Sequence, residues 1–230
     1  MEGTGKKILV VDDEEDLCEI LKYNLINEGF DTEVAHSAEE ALQKPLSTFD
    51  MVLLDVMMGP ISGFKFADII HQSMNLTTSI IFMSAKDSEN DIITGYSLGA
   101  DDYIIKPFSI YELIARVKAV FKRLFASAQQ DRRPFIKVGN LELDNVKRRI
   151  IINDEAEDLT RKEFDILRLL IENRGKVLPR GEILKKVWGE NINVKDRAVD
   201  VNIAKIRAKL GKYGKCLSNR AGYGYFFEIQ

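Results

Sequence analysis

Four short hydrophobic runs in the first half of the chain are each followed by a reactive polar residue. The runs cover residues 8–11, 51–54, 79–83 and 103–105. The polar residues that follow them are, in order, Asp12 with Asp13, Asp55, Ser84 and Lys106. If the runs are parallel strands, their carboxyl ends meet at one edge of the sheet, where open α/β folds place their ligand sites. This pattern would gather three carboxylates, a hydroxyl and an ammonium group into one pocket.

Strand and helix patterns alternate five times along this half of the chain. Ser37 and Ser109 each begin a capping box, which a glutamate completes three residues later. Gly29 and Gly99 follow helical stretches at positions where a left-handed residue commonly ends a helix. Five strand and helix units predict an α/β fold, a doubly wound five-stranded parallel sheet with helices on both faces.

The pattern changes after the fifth predicted helix. A polar stretch at residues 127–134 ends in proline and has no apolar period, which predicts a linker between domains. Beyond it, alternating runs at residues 135–138, 141–144, 148–152 and 156–159 predict a small antiparallel sheet. Three helices and a glycine-bearing hairpin complete the chain. We therefore expect one domain at residues 1–126 and a second at residues 135–230.

Charge differs sharply between the two halves. The whole chain of 230 residues has a net charge of -3. Residues 1–126 carry 11 basic and 21 acidic side chains, whereas residues 127–230 carry 22 and 15, so the halves have net charges of -10 and +7. An acidic first half and a basic second half indicate different partners, a cation for the first and a polyanion for the second.

The remaining composition narrows the class of protein. No apolar run approaches the roughly 20 residues that a membrane helix needs, so we expect a cytoplasmic protein without a membrane segment. Cys18 and Cys216 lie far apart without metal-ligand spacing, which favours reduced, inert thiols. His36 and His71 have no partner motif, and we expect both on the surface.

The predicted pocket has the chemistry of a phosphoryl-transfer site. Clustered carboxylates repel one another, so they stay ionised only beside a cation. Oxygen ligands with room for water favour Mg²⁺, which keeps a position open for a phosphate oxygen. Lys106 and Ser84 would contact other phosphate oxygens, and Asp55 would then be the nucleophile.

The third helix of the second half, at about Asp196 to Leu210, has an apolar stripe and a basic surface. It follows another short helix and precedes the glycine-bearing hairpin. This order is typical of a winged helix-turn-helix, in which the second helix of the pair enters the major groove of DNA.

The residues of the first half resemble a known family. Asp12-Asp13, Asp55, Ser84, Lys106-Pro107-Phe108 and the stretch at 99–103 are similar to the receiver domain of bacterial two-component response regulators, over residues 5–126. The resemblance implies a flavodoxin-like fold. It also implies that Asp55 accepts a phosphoryl group from a histidine of a sensor kinase.

The same resemblance implies a role for each other pocket residue. Asp13, Asp55 and the Met57 carbonyl would bind Mg²⁺, and Asp12 would hold a metal-bound water. Lys106 and Ser84 would contact the phosphoryl group, Tyr103 would be the aromatic switch, and the Lys106–Pro107 peptide would be cis. Catalysis would be limited to Mg²⁺-dependent self-phosphorylation and autodephosphorylation at Asp55, so we expect no enzyme acting on outside substrates.

The second half resembles the effector domain of the OmpR/PhoB family. The matching stretches are residues 159–164, 187–189 and 197–203, together with the terminal Gly-x-Gly-Tyr. By this resemblance Val201, Asn202 and Lys205 would reach base edges, and Arg197 and Arg207 would contact phosphates or the groove. The family commonly places arginine before the first wing glycine; this chain has Ala221 there, with Arg220 one position earlier.

Family members dimerise through the fourth helix, fifth strand and fifth helix when phosphorylated. Asp102 and Arg116 match one intersubunit salt bridge of the family, but Ile92 and Ser97 replace charged partners of two others. We therefore expect a homodimer held mainly by an apolar patch, whose members are Ile93, Tyr96 and Ile114. The further partners implied are a sensor histidine kinase, double-stranded promoter DNA and RNA polymerase.

Three alternatives stay open from the sequence. Haloacid-dehalogenase-type phosphatases also use an aspartate nucleophile with Mg²⁺, but they place a second aspartate where this chain has Met57. The basic half could serve as an adaptor for protein or RNA. The chain could also bind DNA without phosphorylation, although every pocket residue is present.

Overall fold

The computed structural model describes residues 5–74, 76–130, 134–189 and 195–228. It divides into two compact units, Met1–Phe125 and Ala126–Gln230, which are considered separately. Among the described residues, no helix is both long and apolar enough to span a bilayer.

The first unit is built on one parallel sheet of five described strands. The strand order is β2-β1-β3-β4-β5, so β1 and β3 lie side by side at the centre. This is the flavodoxin-like order, in which successive strands are added on one side of β1 first and then, from β3 onward, on the other. The strands are β1 (Lys7–Val11), β2 (Asp31–Ala35), β3 (Met51–Asp55), β4 (Ser79–Ser84) and β5 (Asp102–Ile105).

Five helices connect and follow these strands. They are α1 (Glu15–Asn27), α2 (Ala38–Leu42), α3 (Gly63–Asp68), α4 (Glu89–Ser97) and α5 (Ile110–Gln130). Side chains cap several of them: Ser37 accepts from the Glu40 backbone amide, and Ser109 accepts from that of Glu112. A π-helical turn, Ile69–Ser73, continues α3. Buried aliphatic side chains of β1, β3 and β4 pack with α1 and α5, which confirms the predicted doubly wound α/β fold.

His71 contradicts the expectation of a surface histidine. It lies in the π-helical turn and is 8% exposed. Its Nδ1 is 2.8 Å from the Leu98 carbonyl oxygen, and its Nε2 is 3.1 Å from that of Thr78. The imidazole therefore ties the end of α4 to the residue before β4, a contact that no local sequence pattern reveals.

Helix α5 extends further than the sequence predicted. It reaches Gln130, so residues 127–130 of the predicted linker form its last turn. Residues 131–133 of that linker lie outside the described residues. The domain limits drawn from the sequence therefore stay a prediction.

The second unit begins with an antiparallel sheet and continues with three helices. The sheet has the order β6-β7-β8-β9. Its strands are β6 (Phe135–Val138), β7 (Leu141–Asp144), β8 (Arg149–Ile152) and β9 (Glu155–Asp158), each within one residue of the predicted runs. The helices are α6 (Arg161–Glu172), α7 (Arg180–Trp188) and α8 (Asp196–Leu210).

A second small sheet closes this unit. The predicted terminal hairpin is formed by β11 (Leu217–Arg220) and β12 (Gly224–Phe227), and a two-residue strand, β10 (Leu178–Pro179), pairs with β12. Gly224 is required here because a Cβ would overlap the Leu178 carbonyl oxygen. Helices followed by this hairpin confirm the winged-helix architecture.

Candidate functional site

The carboxyl ends of four strands meet at one edge of the parallel sheet. Asp12 follows β1, Asp55 ends β3, Ser84 ends β4 and Lys106 follows β5. The parallel registers place Val11 beside Leu54, Asp55 beside Met83 and Ser84 beside Ile105. The sheet order thus brings together side chains that are far apart in sequence.

Lys106 lies at the centre of the pocket. Its Nζ is 2.8 Å from Asp12 Oδ2 and 3.2 Å from Asp55 Oδ1. A third carboxylate, Glu14, also lies 2.8 Å from this ammonium. Sequence analysis missed Glu14, although its place two residues after Asp12 at the start of α1 was a usable signal. These contacts raise the pKa of Lys106 although burial opposes them, so the ammonium stays charged.

Asp55 is buried and electrostatically strained. It is 3% exposed, and Asp12 is fully buried. Burial raises the pKa of Asp55; Lys106 lowers it, and the neighbouring charge of Asp12 raises it again. The Met57 amide donates a hydrogen bond of 2.6 Å to Asp55 Oδ2. A buried carboxylate with a raised pKa beside a fixed cation is typical of a reactive group.

The loop after Asp55 depends on Gly63. The Gly63 amide donates to the Val56 carbonyl at 3.1 Å. A Cβ on Gly63 would overlap the carbonyl oxygen of Asp55. Only glycine lets the start of α3 approach the backbone of Asp55 this closely.

Two of the predicted metal-binding carboxylates lie together in this structure. Asp12 and Asp55 are buried, whereas Asp13 is exposed, and within the described ranges no group of three or more acidic, histidine or cysteine side chains is placed to hold an ion. The Lys106 ammonium lies between the two buried carboxylates. Asp12 and Asp55 do present oxygen atoms to one shared cation. That donor chemistry fits Mg²⁺.

Ser84 and Tyr103 form a second layer behind the pocket. Ser84 is fully buried, and its Oγ accepts a hydrogen bond of 3.1 Å from the Lys86 amide. Tyr103 is 4% exposed and donates its hydroxyl to the Lys86 carbonyl at 2.9 Å. Its ring has room because Gly95 has no side chain; a Cβ there would lie 2.9 Å from Tyr103 Cδ2. The aromatic ring therefore already points inward. The Lys106–Pro107 peptide is cis, as predicted.

The structure contradicts the predicted apolar dimer patch. Ile93, Tyr96 and Ile114 are buried within the chain, at 8%, 1% and 8% exposure. They pack inward because α4 and α5 cover the edge of the sheet with these faces. Asp102 is likewise buried, and its carboxylate pairs with Arg116 of the same chain at 3.1 Å.

Helix α8 presents only part of the predicted DNA-contacting set. Arg197 is exposed, and Val201 and Lys205 are partly exposed. Asn202 contradicts the prediction: it is fully buried, and its amide donates to the Ala198 carbonyl at 2.8 Å. The buried face of α8 is wide because Ala198 and Asn202 face inward together with Val199, Ile203, Ile206 and Leu210.

Two further arginines were predicted to contact DNA, Arg207 in α8 and Arg220 in the wing. Arg220 is exposed at the end of β11, opposite Gly224. Arg207 instead donates its Nε to the Leu217 carbonyl at 2.8 Å and lies over the Tyr225 ring. The Arg207 guanidinium is thus engaged within the unit, which contradicts a primary role in contacting DNA phosphates.

Comparison with known proteins agrees with this geometry. A model of the response regulator receiver domain matches residues 8–118, and a model of the C-terminal domain of transcriptional regulatory proteins matches residues 154–227. The response regulator ArlR of Staphylococcus saprophyticus is 38% identical over 222 residues, covering 95% of this chain and 97% of that protein. ArlR of Staphylococcus haemolyticus is 37% identical over 221 residues, with coverage of 95% and 97%.

Solved structures give the same result. Two single-residue mutants of RitR are similar, with TM-scores of 0.77 and 0.76 and 28% sequence identity. Each similarity covers 98% of this chain and 100% of the RitR chain. The chain therefore belongs to the OmpR/PhoB family of two-component response regulators, which regulate transcription and are not classical enzymes.

Proposed function

We propose that Asp55 is the phosphoacceptor through which a sensor histidine kinase controls this regulator. The observation that carries the proposal is the position of Lys106 Nζ, 3.2 Å from Asp55 and 2.8 Å from Asp12, at the edge where β1, β3 and β5 end. A fixed ammonium beside a buried carboxylate can neutralise phosphoryl oxygens as they arrive.

The transfer begins with a phosphohistidine of the kinase. A carboxylate oxygen of Asp55 attacks phosphorus; an oxygen–phosphorus bond forms, the phosphorus–nitrogen bond breaks, and the released imidazole takes up a proton from solvent. Lys106 and Ser84 contact the phosphoryl oxygens. Water later attacks the same phosphorus, which restores the Asp55 carboxylate and releases inorganic phosphate.

Mg²⁺ is the cofactor that we propose for this pocket. Its ligands would be carboxylate oxygens of Asp13 and Asp55 and the Met57 carbonyl, with Asp12 holding a metal-bound water. When bound, the ion supplies charge neutralisation for the phosphoryl group. The support is that the buried carboxylates of Asp12 and Asp55 already share one cationic partner.

The second half, residues 135–230, is the proposed effector domain, and residues 1–126 are the proposed receiver domain. Arg197, Val201, Lys205 and Arg220 are the proposed contacts with promoter DNA, since all four reach the surface of α8 or the wing. RNA polymerase is the proposed partner at the promoter. Because DNA and a phosphorylated kinase domain meet in the cytoplasm, we place the protein there.

Phosphorylation by a small donor tests the acceptor. The full chain is incubated with acetyl phosphate and Mg²⁺, and its intact mass is measured before and after hydroxylamine. The unmodified chain should gain one phosphoryl group that hydroxylamine removes, and Asp55→Asn should gain none. Asp50→Asn is the matched control, since Asp50 precedes the opposite end of β3. Labelling of Asp55→Asn would contradict the assignment.

One observation favours a second candidate function, DNA binding that does not require phosphorylation. Tyr103 already lies inward and bonds the Lys86 carbonyl at 2.9 Å. The affinity of Asp55→Asn for a selected duplex is compared with that of the phosphorylated, unmodified protein. Equal affinities would support DNA binding that does not require phosphorylation, whereas a lower affinity of Asp55→Asn would support control through Asp55.

A further inference from the structure

A cluster of three polar side chains joins three elements of the second unit. Arg180 begins α7, Asp200 lies in α8, and Tyr225 lies in the wing strand β12. Asp200 Oδ1 accepts a hydrogen bond of 2.7 Å from Arg180 Nε and another of 2.7 Å from the Tyr225 hydroxyl. One carboxylate oxygen therefore holds both the helix pair and the wing.

The aromatic ring of Tyr225 adds further contacts to this cluster. The Arg180 guanidinium lies 4.8 Å from the ring centroid, and that of Arg207 lies 5.7 Å from it. Burial, followed by the hydrogen bond to Asp200, raises the pKa of the Tyr225 hydroxyl. The hydroxyl thus keeps its proton at neutral pH and acts as the donor to Asp200.

Asp200 places a negative charge on the helix that is proposed to approach DNA. Asp200 precedes Val201, one of the proposed base contacts, and its side chain is 41% exposed. A carboxylate on a helix that approaches DNA is repelled by the phosphates. Its pairing with Arg180 reduces that repulsion, and its second hydrogen bond fixes the direction of the wing strand.

We propose that Asp200 is a positioning residue for DNA recognition, which fixes α8 relative to the β11–β12 hairpin through Arg180 and Tyr225. Base contacts from α8 and the wing contact of Arg220 must be made together on one duplex. A clamp between the two elements therefore acts on sequence discrimination more than on attraction to the phosphate backbone. The inference rests on the proposed DNA-binding function.

Two variants break the clamp with little change in shape. Asp200→Asn removes the charge, and Tyr225→Phe removes only the hydroxyl while keeping the ring beside both arginines. A duplex is first selected from random-sequence DNA by the unmodified full chain. Affinities are then measured on that duplex and on a scrambled duplex over a range of salt concentrations.

Each variant should lower the ratio of the two affinities by about tenfold, with an unchanged salt slope on the scrambled duplex. The double variant should lose no more than either single one, because the two groups act as a unit. Asp196→Asn is the matched control: it removes the same charge from the exposed start of α8, outside the cluster, and should keep the ratio.

Three results would overturn the positioning role. One is an unchanged affinity ratio in Asp200→Asn and Tyr225→Phe. Another is an equal loss on both duplexes with a lower melting temperature, as expected of a merely structural cluster. The third is a gain in affinity for both duplexes in Asp200→Asn, as simple charge removal predicts. If the unmodified chain selects no duplex, the proposed DNA binding is itself wrong, and the positioning role is wrong with it. In each of the three results above, by contrast, the unmodified chain still binds DNA and only the positioning role is overturned.

Discussion

Lys106 gives the pocket its own counterion. Without that ammonium, the buried carboxylates of Asp12 and Asp55 would face each other in a region that water barely reaches. The ion pair with Lys106 compensates only partly for the burial of the Asp55 carboxylate, because the pKa of Asp55 is still raised by burial. The Asp55 carboxylate is therefore less stable in the folded chain than in water, which suits the proposed role of Asp55 as a nucleophile.

Asp55→Asn should stabilise the protein at neutral pH. Because the pKa of Asp55 is raised on folding, its stabilising contribution is present at low pH and is lost as the pH rises through the folded value. Removing the charge should raise the melting temperature at pH 7 by about 2–4 °C, or about 1 kcal/mol for a chain of this size. The difference should shrink in acid, as thermal melts across pH will measure.

A matched variant gives the opposite sign. Asp50 is paired with Lys6 at 2.7 Å and accepts a hydrogen bond from the Lys7 amide. Asp50→Asn should lower the melting temperature at neutral pH. A lower melting temperature for Asp55→Asn as well would show that Lys106 already compensates fully for the burial of Asp55.

Gly63→Ala should damage the loop that carries Asp55. Its new Cβ would overlap the Asp55 carbonyl oxygen, so the backbone must move at a cost of about 1–3 kcal/mol. The melting temperature and the rate of labelling by acetyl phosphate should both be lower than in the unmodified protein. Gly59→Ala is the control, because a Cβ there meets nothing within 4 Å. Equal melting temperatures and labelling rates for Gly63→Ala and Gly59→Ala would show that the close approach at Gly63 is not needed.

Most individual pocket residues could be predicted, and the exceptions share a cause. Asp12, Asp55, Ser84 and Lys106 stand at strand ends, so a strand pattern alone brings them together. Glu14 and His71 act through contacts between distant segments, which periodicity does not describe. Asn202 was misplaced because the width of a buried helix face depends on how many neighbours pack against it.

At the scale of elements, α4 and β5 depend on one missing side chain. Glycine inside a helix is normally destabilising by about 0.5–1 kcal/mol relative to alanine. Gly95 in α4 is retained because a Cβ would lie 2.9 Å from Tyr103 and 3.0 Å from Phe82. Gly95 makes α4 a less stable helix, but it leaves the space that the inward ring of Tyr103 occupies.

Two alanine variants should therefore differ in sign. Gly95→Ala should destabilise the chain and displace the Tyr103 ring, and it should weaken any DNA binding of the unphosphorylated protein. Gly181→Ala, in α7, should stabilise it by about 0.5–1 kcal/mol, because a Cβ there meets open space. Thermal melts of both variants measure the contrast. Stabilisation by Gly95→Ala would mean that the Tyr103 ring can move away from the new Cβ without loss of stability.

Element boundaries were predictable where a local signal exists. Thr160 and Glu163 form both bonds of a capping box at the start of α6, and their spacing of three residues is such a signal. The end of α5 and the strand β10 were missed. A polar helical turn resembles a linker in sequence, and a two-residue strand exists only through its pairing with β12.

At the scale of the whole molecule, the two halves carry opposite net charge, -10 and +7.

We propose that phosphorylation produces a homodimer through α4, β5 and α5. With Ile93, Tyr96 and Ile114 buried, this surface exposes Ile105 and Tyr111 together with charged side chains such as Glu112 and Lys122. The contacts between subunits should therefore be more ionic than the predicted apolar patch implies.

Dimerisation should consequently be sensitive to salt. Sedimentation of the beryllofluoride complex should show a dimer at about 0.1 M salt that weakens markedly at about 1 M, where the Debye length falls from about 10 to about 3 Å. The unmodified chain without beryllofluoride is the control. A dimer that persists unchanged at high salt would restore the apolar interface that the buried residues argue against.

The inward position of Tyr103 bears on the quality of signalling. A regulator whose switch residue rests where the active form needs it has a baseline output before any stimulus arrives. With Tyr103 as the proposed switch, the ratio of active to resting molecules would lie above its minimum before phosphorylation, so phosphorylation would raise that ratio by a smaller factor. Under this proposed role of Tyr103, transcription of the target genes should begin from a basal level rather than from zero.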